Sequence, residues 1–225
     1  MTINKNFFQD QGYVVVEKLI EQDEVSLLLA DYKLMVSGEI PMKGFDGLIT
    51  KVSEQNNKVV QIGNPSDQYT RWRQYSYFQR SLEFAKLLMG EDMEYKYDQI
   101  IYKPPYNSAE TAWHQDGGYW EEGGGKYRNA VTCWLALTPA FLENGGMKFI
   151  PRSHMGEIKV HQPLGNEKGI NESLGILYVD ETTAVTNLLF AGDASFHHSR
   201  ILHGANANNT QLPRCALITH FEARD

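Results

Sequence analysis

The segment ETAWHQDGGYW, residues 110–120, sets a histidine and an aspartate two residues apart, His114 and Asp116. In an extended strand, side chains two apart point to the same face. One imidazole and one carboxylate are then delivered side by side, although His-x-Asp alone occurs by chance in many chains. A third ligand is available in SRILHGANANNTQLPRCAL, residues 199–217, where His203 follows an apolar run and precedes Gly204. Two histidines and one carboxylate on one face leave the opposite coordination positions open. That arrangement suits a non-haem Fe(II) oxygenase, which must bind both a co-substrate and O2. Structural zinc sites are closed and thiolate-rich, and this set is neither. Arg214 stands eleven residues after His203, across the loop-like GANANNTQLP. If the strands on either side pair as a hairpin, Arg214 lies deep in the same cavity. Its guanidinium can grip a carboxylate through two parallel hydrogen bonds. A keto-dicarboxylate such as 2-oxoglutarate would chelate the metal with one end and meet Arg214 with the other.

Elements must bring these residues together. Residues 4–11 read as a short helix ended by Gly12, and YVVVEKLI (13–20) as a β-branched strand. Residues 23–36 carry Val25, Leu28, Leu29, Tyr32 and Met35 on helical spacing, with Asp23 and Glu24 in the first turn, where the helix dipole favours them. A second helix is expected at 80–89, closed by Gly90. From Tyr95 onward the runs YKYDQIIY, AVTCWLAL, MKFIP, TNLLF, ASFHH and RCALITHF are short and β-rich, and Gly, Pro and Asn clusters separate them. Many short strands between turn signals predict a sandwich, barrel or jelly roll, with the leading helices packed outside a sheet. No linker divides the two regions. One domain over 1–225 is expected, helix-rich over 1–94 with a β core over 95–222.

Composition narrows the class. The 225 residues carry a net charge of -7, which disfavours a general nucleic-acid binder. No apolar run reaches the roughly 18 residues of a membrane span, and the polar start MTINKNFFQDQG does not read as a signal peptide. Cys133 and Cys215 sit in apolar runs and read as small buried strand residues, not as a disulfide framework. A cytoplasmic protein acting on a small molecule is the expectation, with oligomeric state open.

His-x-Asp, His-Gly and an arginine eleven residues on together resemble the phytanoyl-CoA dioxygenase family. IIYKPP (100–105), ENGGMKFIPRSH (143–154), FHHSRILHGANANN (196–209) and the opening GYVVVEKLIEQDEV (12–25) are similar to it as well. The resemblance implies a double-stranded β-helix, a cupin-like jelly roll that is mainly β with flanking helices. It also implies Fe(II) on His114, Asp116 and His203, with 2-oxoglutarate anchored by Arg214 and lined by Gln99 and Trp134. O2 would be the oxidant, ascorbate an optional reductant, and succinate and CO2 the co-products. Ala205 departs from the serine common in the family, which removes one hydrogen bond to the co-substrate. Asp116 is retained where related halogenases carry a small residue, so halogenation is not expected.

Other residues carry weaker signals. Lys103, Tyr119, Trp120 and Arg152 are candidate substrate contacts by position, with solvent-facing structural roles equally open. His197 and His198 read as structural or as partners of the ligands, His154 as a loop tie, and His161 and His220 give no usable signal. EEGGGKYRN (121–129) is a flexible connection near the site mouth rather than a phosphate cradle. YTRWRQYSYF (69–78) either lines a substrate pocket or forms a buried face with Arg71 and Arg73 outside. Two competing classes share the ligands: a non-oxidative cupin-type hydrolase or isomerase, which has no need of Arg214, and a non-catalytic metal-binding relative.

Overall fold

The structure, a computed structural model, describes residues 3–42, 59–107, 109–122, 129–164 and 174–224. The connection at 121–129 lies largely outside them, and so does the side chain of Trp120.

Helix α1 (Lys5–Gln11) ends at Gly12, whose φ of 85° is the left-handed cap that glycine adopts without strain. Strand β1 (Tyr13–Val16) is shorter than the run 13–20 suggests. The chain turns at Lys18, with φ 50°, where Asp193 Oδ1 accepts the backbone N–H at 2.8 Å. Helix α2 (Gln22–Ser37) buries Val25, Leu28, Tyr32 and Met35 as their spacing requires. Strand β2 (Val60–Gly63), the short helix α3 (Pro65–Gln68) and helix α4 (Ser76–Met89) follow. Helix α4 starts four residues before the expected 80 because Glu24 of α2 accepts the backbone N–H groups of Ser76 and Tyr77, at 3.1 and 2.8 Å. That tertiary cap is invisible to local pattern. The aromatic stretch 69–78 is a buried face: Trp72 and Tyr77 are fully enclosed and Arg71 and Arg73 point outward.

The remaining elements are β3 (Met93–Lys103), β4 (Thr111–His114), α5 (Asp116–Glu122), β5 (Ala130–Ala136), β6 (Met147–Phe149), β7 (Gln162–Pro163), β8 (Leu174–Gly175), β9 (Val185–Thr186), β10 (Ala194–His198), β11 (His203–Ala205) and β12 (Arg214–Ala223). Of the run TNLLF only Thr186 falls in a strand; Leu189 makes a single bridge to Ala140. A large sheet orders as β1-β10-β5-β12-β3-β2 and a small one as β4-β11-β6-β9, with every pair antiparallel. The two edges of the large sheet, β1 and β2, come from the first 94 residues.

The large sheet is covered on both faces. Its inner face and the small sheet enclose Tyr13, Trp134, Phe149, Leu189, Ile201 and Ile218. Its outer face packs Cys133, Phe196, Leu217 and Phe221 against Leu28, Tyr32, Trp72 and Phe84 of the helical part. Both cysteines are free and buried, as their apolar neighbours suggest. Two facing antiparallel sheets with helices on one outer side make a cupin-like jelly roll. Among the described residues, no helix is long and apolar enough to cross a membrane.

Candidate metal centre

His114 is the last residue of β4, Asp116 the first of α5, and His203 the first of β11. The two histidines are cross-strand partners in the small sheet. Asp116 reaches them from a strand-to-helix turn, not from the extended alternation that the spacing suggested. One ligand atom from each of the three lies within 4.8 Å of the others, and all three side chains are buried. Each imidazole has its Nδ1 against a backbone carbonyl two residues earlier: His114 to Ala112 at 2.7 Å and His203 to Ile201 at 3.0 Å. An Nδ1–H donated there leaves Nε2 bare as a metal ligand. Asp116 Oδ1 lies 3.4 Å from Nε2 of His203 and 3.7 Å from that of His114.

Gln115 sits between two ligands and points away from them. Its amide donates to Arg200 O at 2.6 Å and accepts from Lys159 N at 2.8 Å. Its backbone N–H donates to His161 Nε2 at 2.9 Å. The ligand-bearing turn is thereby bolted to the 159–161 segment and to the turn before His203.

Electrostatics suit a cation. Burial, then His203, lowers the pKa of His114 to about 3. Burial opposes ionisation of Asp116, but His203, His197 and His220 outweigh it and hold the carboxyl well below its usual range. A neutral imidazole at His114 and an ionised carboxylate at Asp116 are ligand forms a divalent metal needs.

Arg214 opens β12, in the opposite sheet from His203; β11 pairs with β4 and β6, and β12 with β3 and β5. The expected hairpin is therefore absent, and the two residues stand on different sheets. Arg214 is 2% exposed, and its Nη1 donates to Gly145 O at 3.0 Å. Its Nε and Nη2 are buried without a hydrogen-bond partner among the described residues. Two unpaired donors of one guanidinium match the two oxygens of a carboxylate. Trp134 lies beneath it, the ring centre 5.3 Å from Cζ. The turn carrying Gly145 has φ 84°, and a Cβ there would stand 2.7 Å from Asn206 O and 3.0 Å from Lys103 Cδ. The ENGG motif thus serves close approach.

Lys103, opposite Arg214 on β3, is 1% exposed and donates to Asn206 O at 2.7 Å. Burial, then Arg214, pushes its pKa down to about 6. It belongs to the buried Arg214 end of the interior, not to a solvent-facing surface. Tyr119 sets its ring edge-on to His114, 5.3 Å between centroids, and donates its hydroxyl to Leu174 O at 2.7 Å. Arg152 turns outward and pairs with Asp10 of α1 at 2.7 Å, so it is not brought to the ligands. Ala205 is buried on β11, two residues beyond His203.

Three further polar residues line Asp116. His197, Thr132 and His220 stand in register across β10, β5 and β12. Thr132 Oγ1 donates to Asp116 Oδ2 at 2.6 Å, and His197 Nε2 approaches the same oxygen at 3.4 Å. His198 faces the other way, toward Phe8 and His154. His220 gave no isolated signal, yet it lies six residues beyond Arg214. An even spacing on one strand puts both on the inner face. Gln99 contacts His220 Nε2 at 3.2 Å through its amide nitrogen.

With this geometry in view, comparison with known proteins is direct. The family model described as phytanoyl-CoA dioxygenase (PhyH) matches residues 8–216. The peroxisomal phytanoyl-CoA dioxygenase of Mus musculus is 24% identical over 233 residues, covering 98% of this chain and 68% of the relative. The crystal structure of EvdO2 from Micromonospora carbonacea var. aurantiaca complexed with 2-oxoglutarate superposes with a TM-score of 0.82 at 25% identity, covering 98% of this chain and 90% of that one. EctD from S. alaskensis with 2-oxoglutarate and 5-hydroxyectoine has a TM-score of 0.78 at 22% identity, covering 97% and 74%, and shares the fold. The chain belongs to the phytanoyl-CoA dioxygenase family of Fe(II)- and 2-oxoglutarate-dependent oxygenases.

Proposed function

We propose that this dioxygenase hydroxylates a C–H bond of a small organic substrate, with Fe(II) on His114, Asp116 and His203 and 2-oxoglutarate anchored by Arg214. Succinate and CO2 are the co-products. The observation that carries this reading is the pairing of an open three-ligand cluster with a buried guanidinium whose Nε and Nη2 lack partners. A hydrolase or isomerase on the same fold has no use for that cation. Bound iron supplies O2 activation and the oxidation of the C–H bond.

The chain's own residues do the rest. The backbone carbonyls of Ala112 and Ile201 fix both imidazoles with Nε2 inward. Arg214 orients the far carboxylate of the co-substrate over Trp134, Gln99 lines that space, and Lys103 stands opposite Arg214 on β3. Burial excludes water and strengthens these contacts. Tyr119, 36% exposed over His114, and Trp120 beside it are the substrate contacts on this reading. Ascorbate would keep the iron ferrous between turnovers. A reducing cytoplasm suits Fe(II) and two free thiols, and residues 1–225 act as one domain.

Succinate formation from 2-oxoglutarate by Fe(II)-loaded protein tests the proposal. Slow, O2-dependent succinate release without added substrate is expected, and Arg214→Met should abolish it at ordinary co-substrate concentrations. Turnover of any substrate that ignores 2-oxoglutarate would favour the non-oxidative class. Metal binding with no succinate under any condition would favour a non-catalytic relative.

A further inference from the structure

We propose that Thr132, His197 and His220 are positioning residues that hold Asp116 as a one-oxygen metal ligand, and that Gln99 and Gln61 tighten this hold from the sheet edge. The inference rests on the metal assignment above. The two oxygens of Asp116 are treated differently. Oδ1 faces the imidazoles of His203 and His114, at 3.4 and 3.7 Å. Oδ2 is turned toward the large sheet, 2.6 Å from Thr132 Oγ1, 3.4 Å from His197 Nε2 and 3.9 Å from His220 Nδ1.

The direction of each hydrogen bond follows from the last. Thr132 has one hydroxyl proton, and it goes to the carboxylate. Its oxygen therefore accepts from His220 Nδ1, 3.0 Å away. His220 then has a bare Nε2, which accepts from the amide nitrogen of Gln99 at 3.2 Å. Gln99 Oε1 in turn accepts from Gln61 Nε2 at 2.5 Å. Four hydrogen bonds run one way, from Gln61 on β2 through β3, β12 and β5 to Asp116. A chain of this kind polarises each member and strengthens the last bond, here a short one to an anion.

His197 supports the same oxygen from β10. It is 1% exposed, Phe149 packs 5.5 Å away, and apart from Oδ2 at 3.4 Å its ring nitrogens have no hydrogen-bond partner among the described residues. A buried imidazole with so little polar company is costly, and an apolar side chain would fill the space at less expense. Service to Oδ2 accounts for it. An Oδ2 held in this way cannot swing to the metal, so a coordination position stays open for the co-substrate or O2.

The test is a titration of metal-free protein with Mn(II), following the free ion by electron paramagnetic resonance, with the melting temperature of each metal-free variant as a folding control. Thr132→Val keeps the shape and removes the donor; it should weaken Mn(II) by about 10–100-fold, the range for lost partners of metal ligands. Thr132→Ser should restore affinity to within a few-fold of the parent. His197→Phe should weaken it by a smaller factor, and Gln99→Leu, two hydrogen bonds further back, by less again. Parent-like affinity in both folded Thr132→Val and His197→Phe would overturn the proposal, as would equal losses in Thr132→Val and Thr132→Ser, which would signal packing alone. If Thr132→Val does not fold, His197→Phe decides. If the parent takes up no Mn(II), the metal assignment itself fails and the proposal with it.

Discussion

Strand β12 presents two different surfaces within ten residues. Cys215, Leu217 and Phe221 point to the helices and join the larger apolar core, while Thr219 bonds the Tyr77 hydroxyl there. Arg214, Ala216, Ile218 and His220 point to the small sheet. The outer face buries apolar area and is worth stability. The inner face carries a buried guanidinium, a buried imidazole and, across the gap, three metal ligands, all of which cost folding free energy until a metal and an anion arrive. One sheet therefore separates stability from chemistry by the alternation of its strands.

Substitutions should divide along that line. The largest effect is expected at the ligands. Asp116→Ala or His203→Ala should abolish succinate formation and reduce Fe(II) affinity by more than the about 100-fold that marks the upper range for partner residues. The melting temperature of the metal-free protein should fall less than in a core truncation, since Asp116→Ala gives up the hydrogen bond from Thr132 but also removes a buried charge. A large loss of metal-free stability would mean that the inner face also holds the fold together. On the outer face, Leu217→Ala should cost about 2–5 kcal/mol of unfolding free energy in a urea titration and leave metal affinity of the folded protein unchanged. Weaker metal binding in that variant would show the two faces to be coupled.

Arg214→Met sharpens the comparison. Loss of charged hydrogen bonds worth about 1.5–3 kcal/mol should weaken 2-oxoglutarate binding by roughly ten- to a hundred-fold. Stability should hold or rise, because an unpaired buried cation is replaced by an apolar chain of similar length. Calorimetry of co-substrate binding and thermal unfolding of the same variant decide both parts.

A pH dependence separates the faces in a different way. Burial lowers His220 on the inner face and His198 near α1 to a pKa of about 4, below the ordinary 6.5. A lowered histidine contributes its full stability above pH 6.5 and loses it as pH falls toward 4, at about 1.4 kcal/mol per unit. Asp98, on the outer face opposite Thr219, is raised by burial from 3.8 to about 6. Its contribution has the opposite sign, full below 3.8 and lost as pH rises through 6. Metal-free protein should therefore lose stability between pH 6.5 and 4, and Asp98→Asn should steepen the fall. A profile that Asp98→Asn leaves unchanged would contradict the burial of that carboxyl.

The outer face was largely legible in the sequence. Val25, Leu28, Tyr32 and Met35 announced α2, and the apolar runs around Cys133 and Cys215 announced buried strands. Boundaries were legible only where a local residue set them, as Gly12 does. They were missed where a distant one did, as Glu24 does for α4 and Asp193 for the end of β1. On the inner face His114, Asp116, His203 and Arg214 were readable because their residue types carry chemistry at fixed intervals. Thr132, His197 and His220 were not, because each is an ordinary strand residue until the register of β10, β5 and β12 aligns them. Arg152 stayed open between a substrate contact and a solvent-facing role, because adjacency to a motif says nothing about which way a side chain turns.

The central question is whether one site holds both metal and co-substrate. Metal-free protein should be titrated anaerobically with Fe(II) and then with 2-oxoglutarate, following the visible metal-to-ligand charge-transfer band of a chelated keto-acid. The band should appear with one equivalent of each, be absent in Asp116→Ala, and need far more 2-oxoglutarate in Arg214→Met. Fe(II) binding without a band would contradict the co-substrate site, and an unchanged band in Asp116→Ala would contradict the ligand set.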